Sequence, residues 1–163
     1  MKTLNLFIRQ PLTESHLREQ SIIEEVLQLI AQYNGVFQHF NYLTGIHAES
    51  AETFKQAFEQ DSGEVFTPQH FRRYRLVRLK QADAFINIRV GMSESSAFEI
   101  SYHIYSGTRT PLLFLVWDQA PVKTTLLRDL EDICDITYLY FSHVEELKIG
   151  IEAFFRDKFT EEQ

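Results

Sequence analysis

Short apolar runs along this chain alternate with longer stretches in which apolar residues recur every three or four positions. Residues 4–9 form an apolar run that Gln10 and Pro11 stop, which predicts a first strand. Residues 13–16 then open a helix. Ile22, Ile23, Val26, Leu27, Ile30 and Ala31 recur at helical steps, and the buried face continues to Tyr33. Asn34 and Gly35 suit a left-handed cap and end that helix. Residues 36–40 read as a second strand.

The pattern weakens between 41 and 68, with a short helix over 51–60 and a turn at 61–64. A segment this long between strong elements is more often functional or mobile than idle. A helix over 70–80 follows, offering Phe71, Tyr74, Leu76, Val77 and Leu79 to its buried side. Residues 84–90 form a third strand, 91–96 a hydroxyl-rich loop, and about 97–105 a helix. The nearly unbroken apolar run 112–117, between Pro111 and Asp118, predicts a central strand covered on both faces. A helix over 124–134, a fifth strand over 136–141 and an amphipathic helix over 144–158 close the chain. No repeat, low-complexity tract or linker interrupts it, so 1–163 reads as a single domain.

Strands alternating with helices imply a parallel sheet with right-handed crossovers. Five strands in a chain of 163 residues fit an α/β, flavodoxin-like (Rossmann-like) doubly wound sheet in the order 2-1-3-4-5. Ligands of such sheets bind beyond the carboxyl ends of the strands, where the strand order reverses. That expectation gathers residues 9–13, 91–99 and 118–122 around one crevice.

Composition narrows the function classes. The formal net charge of −7 repels phosphate backbones and argues against nucleic-acid binding. The basic cluster Arg72, Arg73, Arg75, Arg78 and Lys80 reads as the solvated face of a helix. The one cysteine, Cys134, excludes an intramolecular disulfide and a cysteine cage, and reads as a small buried residue. No His or carboxylate spacing suggests a metal site. The amino terminus is too short and polar for a signal peptide, and no stretch is long and apolar enough for a membrane span. The cytoplasm is the default expectation. Fourteen Phe and seven Tyr are a surplus for this length, available to line a pocket or a subunit interface.

The segment 82–103 carries the most chemistry. It runs from a strand through Gly91, Ser93, Ser95 and Ser96 into a helix whose first backbone N–H groups would favour a phosphate or carboxylate. Glu99 sits at the start of that helix. Ser96 and Glu99 also spell an S-x-x-E capping box, in which each would satisfy the other's backbone donor. His103 lies four residues beyond Glu99, on the same helical face. Trp117 reads first as core and alternatively as a stacking surface for a base. His16, His39 and His143 read as surface or interface residues.

This segment resembles the nucleoside 2-deoxyribosyltransferase superfamily, including its 2'-deoxynucleoside 5'-phosphate N-hydrolases. Ala82-Asp83 leads the strand, Ser93 takes the loop position and Glu99 follows six residues later. The stretch from Gly107 to Leu115 resembles the family's turn and Pro-hydrophobic strand. The likeness covers residues 80–117 and is only topological elsewhere. It implies cleavage of an N-glycosidic bond, with Glu99 as nucleophile and a second acid managing the proton on the departing base. Ser93, with Ser95, Ser96, Gly91, Arg9 and Asp83, would hold a nucleoside or nucleotide substrate. No metal or organic cofactor is required, and family members are commonly homodimers, to which Tyr102 and Tyr105 would contribute.

The sequence departs from the family pattern where the second acid belongs. The family's other catalytic Asp lies about eight residues before Asp83, and Arg75 occupies that position. Phe98 stands near the nucleophile where a glycine is usual, and the Tyr or Ser residues often found after the first strand are missing. Asp61, His70, Asp118 and a carboxylate of a neighbouring subunit all remain open as the acid. Three readings follow: an N-glycoside hydrolase or transferase that keeps Glu99, a nucleotide-binding or signalling module without turnover, and a TIR-like NAD glycohydrolase.

Overall fold

Three strands are covered on both faces because their sequences are apolar at nearly every position. β3 (Ala84–Arg89) and β4 (Leu112–Trp117) are buried throughout, and β1 (Thr3–Arg9) is buried over its last four residues. β2 (His39–Thr44) and β5 (Ile136–Phe141) are more polar and only partly buried. All neighbours pair in parallel, in the order β2-β1-β3-β4-β5, as the alternation of elements predicts. The computed structural model describes residues 1–11, 16–44 and 53–160; Thr13 therefore lies outside the described residues, as does the start of the helix expected over 51–60.

The period-two alternation of the strands divides the core in two. Leu4, Leu6 and Ile8, with Ile86 and Leu115, face α1 (Leu17–Ala31) and α5 (Lys148–Phe159). Phe7, Phe85, Phe114 and Val116 face the other way, where Leu79 and Ile100 pack on them. Those two residues belong to α3 (Pro68–Gln81) and α4 (Glu94–Tyr105). The same alternation sends Arg9 and Asn87, register partners across β1 and β3, toward α4. α2 (Phe54–Ser62) packs beside α3 through edge-on rings, with Phe58 against Phe71 and Tyr74. Gly150 lets α5 lie close on β5: a Cβ there would sit 2.6 Å from Leu139 methyl carbons.

Four elements differ from the sequence expectation. The second strand begins at His39 rather than Val36. Gly35 has φ 82° and its N–H donates to the Gln38 carbonyl at 2.7 Å, while Asn34 Oδ1 accepts from the Phe40 N–H at 2.8 Å. Residues 34–38 are thus spent on a tight turn, and pairing starts where the His39 N–H reaches the Lys2 carbonyl. The stretch 124–134 is two single turns of 3-10 helix, Thr125–Leu127 and Leu130–Asp132, with Asp129 left-handed between them. The Tyr138 hydroxyl donates to the Leu127 carbonyl and accepts from the Leu130 N–H, taking groups a continuous helix would pair internally. α4 starts at Glu94, three residues early, and the last helix is preceded by a 3-10 turn over Val144–Leu147.

Candidate functional site

α4 is capped by Ser93, whose hydroxyl accepts the Ser96 N–H at 3.2 Å. Because the helix begins there, Glu99 is in its second turn and the Ser96–Glu99 capping box does not form. The Ser96 hydroxyl instead accepts from Asn87 Nδ2 at 2.7 Å and ties the helix to β3. Glu99 points toward α3 and β1 and is only 4% exposed.

An isolated carboxylate at that depth is costly, and two guanidiniums offset the cost. Arg75, on one side of α3, grips Glu99 with two parallel hydrogen bonds, Nε to Oε1 and Nη2 to Oε2, both at 3.1 Å. Its guanidinium also lies over the Phe7 ring, 4.6 Å from the centroid. Arg9, from the end of β1, adds Nη1 to Oε1 at 3.4 Å and Nη2 to the Ser93 hydroxyl at 3.3 Å. The fork geometry of Arg75 is the strong, orienting contact, and that of Arg9 is longer and single. Two cations against one carboxylate leave one excess positive charge beneath the surface. The Arg9 pKa is lowered to about 10, first by burial and further by Arg75, with Glu99 acting against both. Arg9 Nε and Asn87 Oδ1 are buried without a hydrogen-bond partner.

Above this ion pair a cleft of about 310 Å³ opens between α3 and the start of α4. Glu99, Arg75 and Arg9 form its floor, and Arg72, Phe71 and Phe98 stand around it with Glu94, Ser95 and Leu76. Phe98 is half exposed at the rim. The volume is at the small end of ligand sites.

The residues singled out from sequence are not all brought together. Arg9, Ser95 and Glu99 line this cleft, and Ser93 supports it through Arg9. Ser96 is engaged under the helix. Asp83 lies at the opposite, amino end of β3, where Oδ2 accepts the Asn5 N–H and its own N–H donates to the Asn5 carbonyl, both at 2.8 Å. It fastens β3 to β1 and is remote in the sheet from the carboxyl ends that carry the cleft. Gly91 lines a different cleft, with Met92, Trp117 and Pro121. The single expected crevice is therefore two, one on each side of the loop between β3 and α4. His103 turns from Glu99 toward Thr108, with its ring edge-on to Phe85, and burial lowers its pKa.

Sequence reading missed Arg75 as a member of the site, along with Arg72, Phe71, Glu94 and Leu76. The spacing held the signal: 71, 72, 75 and 76 share one helical face, as do 94, 95, 98 and 99. The rest of the basic cluster is largely paired internally, Arg73 with Glu64 and Arg78 with Asp61. Among the described residues, no group of three or more His, Cys, Asp or Glu is placed to hold a metal ion, and no helix is long and apolar enough to cross a membrane.

No protein-family model and no curated protein matches the sequence. Solved structures match its fold. The CMP N-glycosidase BcmB of Clostridium botulinum superposes with a TM-score of 0.58 at 16% identity, covering 92% of this chain and 98% of that one. BlsM superposes at 0.61 and 19% identity, covering 94% and 90%. A 2-deoxyribosyltransferase of Bacillus psychrosaccharolyticus lies further off, at 0.49 and 12% identity over 88% and 90%. At such identities the likeness is one of architecture alone: this chain shares the parallel five-stranded α/β fold of BcmB and BlsM.

Proposed function

We propose that this chain binds a nucleoside phosphate in the cleft over Glu99 and does not cleave its glycosidic bond. The observation that carries this reading is the two-pronged ion pair between Arg75 and Glu99. A carboxylate that attacks an anomeric carbon must surrender its negative charge to the new ester bond. Here that charge is held by two charge-assisted hydrogen bonds from Arg75 and a longer one from Arg9, and those contacts weaken as the ester forms. Interactions stronger in the ground state than in the transition state raise the barrier. Each such hydrogen bond contributes about 1.5–3 kcal/mol, so partial loss of two slows attack by roughly one to two orders of magnitude.

The second acid is missing from its family position, where Arg75 stands. The other carboxylate lining the cleft is Glu94, exposed at the first position of α4. The excess positive charge of Arg9, Arg75 and Arg72 over Glu99 and Glu94 favours an anionic ligand, and Phe71 and Phe98 offer faces to a base. A small-molecule partner of this kind requires no cofactor. A second reading, the N-glycoside hydrolase or transferase, draws on one observation: Glu99 is buried, faces the cleft and has no capping duty.

The test is a panel of deoxynucleosides, their 5'-monophosphates, CMP and NAD, each followed for base release and for a shift in melting temperature. Monophosphates that stabilise the protein and keep their base support binding without turnover. Base released by the wild type and lost in Glu99→Gln gives the hydrolase reading instead.

A further inference from the structure

Trp117 ends β4 at the carboxyl edge of the sheet, on the face that α1 covers. Two clefts flank it, of about 380 and 320 Å³, and Trp117 and Arg18 are the residues common to their walls. What separates the clefts is the Arg18 guanidinium, lying over the indole at 5.0 Å from the ring centroid. Arg18 is exposed, and among the described residues it has no carboxylate partner. An exposed cation–π contact is weak and gives way readily. Part of the indole cover is thus a movable side chain.

The larger cleft also holds an unmet hydrogen-bonding group. Glu19 is one of its walls, and the residue's Oε2, closed off from solvent, has no hydrogen-bond partner. Buried acceptors of this kind are normally satisfied, and a turn of the Glu19 side chain toward the cleft would bring Oε2 to an N–H donor there. Arg89, another wall, is already occupied: Nε donates to the Ala120 carbonyl at 2.8 Å and Nη2 to that of Pro121 at 3.1 Å. Lys123, exposed at the mouth, makes no ion pair among the described residues. Met92, 65% exposed, stands over the same opening. Gly91 leaves its side of the wall open, since a Cβ there would meet nothing within 4 Å.

We propose that Arg18 and Trp117 form a second ligand site, a clamp for a planar heteroaromatic ring that carries an N–H donor and an anionic substituent. Arg18 swings outward by one ring thickness, so that the ligand lies between guanidinium and indole, a spacing of roughly 7–8 Å for two van der Waals layers. Guanidinium planes and indoles both stack on such rings. The amino group on the ring donates to Glu19 Oε2, and the anion lies toward Lys123. Purine and pyrimidine nucleotides have this chemistry. The site is independent of the cleft over Glu99, which lies across the loop between β3 and α4.

The chain has one tryptophan, so its fluorescence reports this site alone. AMP, CMP and adenosine are titrated with excitation at the red edge of the indole band. Saturable quenching by AMP or CMP is expected, with adenosine binding more weakly than AMP for want of the anion. Arg18→Ala and Glu19→Leu should each raise the AMP dissociation constant about fivefold or more, the equivalent of one weak stacking or hydrogen-bonding contact. Arg72→Ala, in the other cleft, should leave the quenching unchanged. Quenching that is absent up to millimolar ligand, or that is abolished by Arg72→Ala and indifferent to Arg18→Ala and Glu19→Leu, overturns the proposal. The base-release and melting experiments on the Glu99 cleft stand or fall without it.

Discussion

Replacing Arg75 with methionine keeps the length of the side-chain stem and removes the charge that holds Glu99. The carboxylate is then left with Arg9 alone, through a single contact at 3.4 Å. Both members of the pair are well buried, with side-chain exposures of 12% for Arg75 and 6% for Glu99, so solvent screening is slight. Breaking a buried ion pair from one side costs about 3–5 kcal/mol. Retention of Arg9 brings the expectation to the lower end, and loss of the guanidinium over Phe7 adds about 0.5–1 kcal/mol. About 3 kcal/mol is therefore predicted for Arg75→Met. At a urea dependence of about 2 kcal/mol/M this moves the midpoint down by roughly 1.5 M. Glu99→Leu should cost at least as much, since it leaves two buried guanidiniums facing one another. The double variant should be more stable than the sum of the singles implies by about 2 kcal/mol. Singles below about 1 kcal/mol that simply add would show a solvent-screened pair, and Glu99 would then not be held away from nucleophilic work.

Two further predictions concern groups away from the cleft. Burial raises the Tyr138 pKa to about 12, from the ordinary 10. The unfolded chain therefore gives up this proton first, and the stability that Tyr138 contributes is complete below pH 10 and lost as pH rises toward 12. Tyr138→Phe should cost about 1 kcal/mol at neutral pH and show a shallower alkaline decline in urea unfolding; an unchanged alkaline slope would mean the hydroxyl is not held as described. Burial lowers the His103 pKa from 6.5. The unfolded chain then binds the proton first, so this contribution is complete above pH 6.5 and lost as pH falls below it. His103→Gln should flatten the acid side of the stability profile between neutrality and pH 5, and an acid slope equal to the wild type's would contradict the neutral, buried ring.

The parallel sheet was legible in the sequence because β3 and β4 are buried on both faces, and an apolar run of six residues between Pro111 and Asp118 is too short for a helix and too continuous for a half-exposed strand. Glu99 was also legible as a residue of the correct helix. What Glu99 touches was not, because Arg75 lies 24 positions away and meets it only when α3 docks beside α4. Arg75 stood out in sequence as a departure from a family pattern, and its role as a partner needed the packing. The misread stretch 124–134 has the same cause: its helical periodicity is real, and a distant hydroxyl on Tyr138 overrides it. The second strand slipped because Asn34 and Gly35 begin a turn whose length is set by the Asn34 side chain reaching Phe40. Asp83 was assigned to the ligand from the motif alone, whereas the register of β1 and β3 places it at the far end of the sheet.

If Glu99 binds arginines and is not a nucleophile, no sugar should ever be found on it, and the most direct measurement looks for that sugar. The protein is saturated with 2'-fluoro-2'-deoxynucleoside 5'-monophosphates, which slow the release of a glycosyl-enzyme, and binding is verified in the same sample by melting temperature. Intact-mass and peptide-level mass spectrometry then follow. Bound ligand and an unmodified chain are the predicted result. A mass increase of one sugar phosphate, mapped to Glu99 and absent from Glu99→Gln, would contradict it.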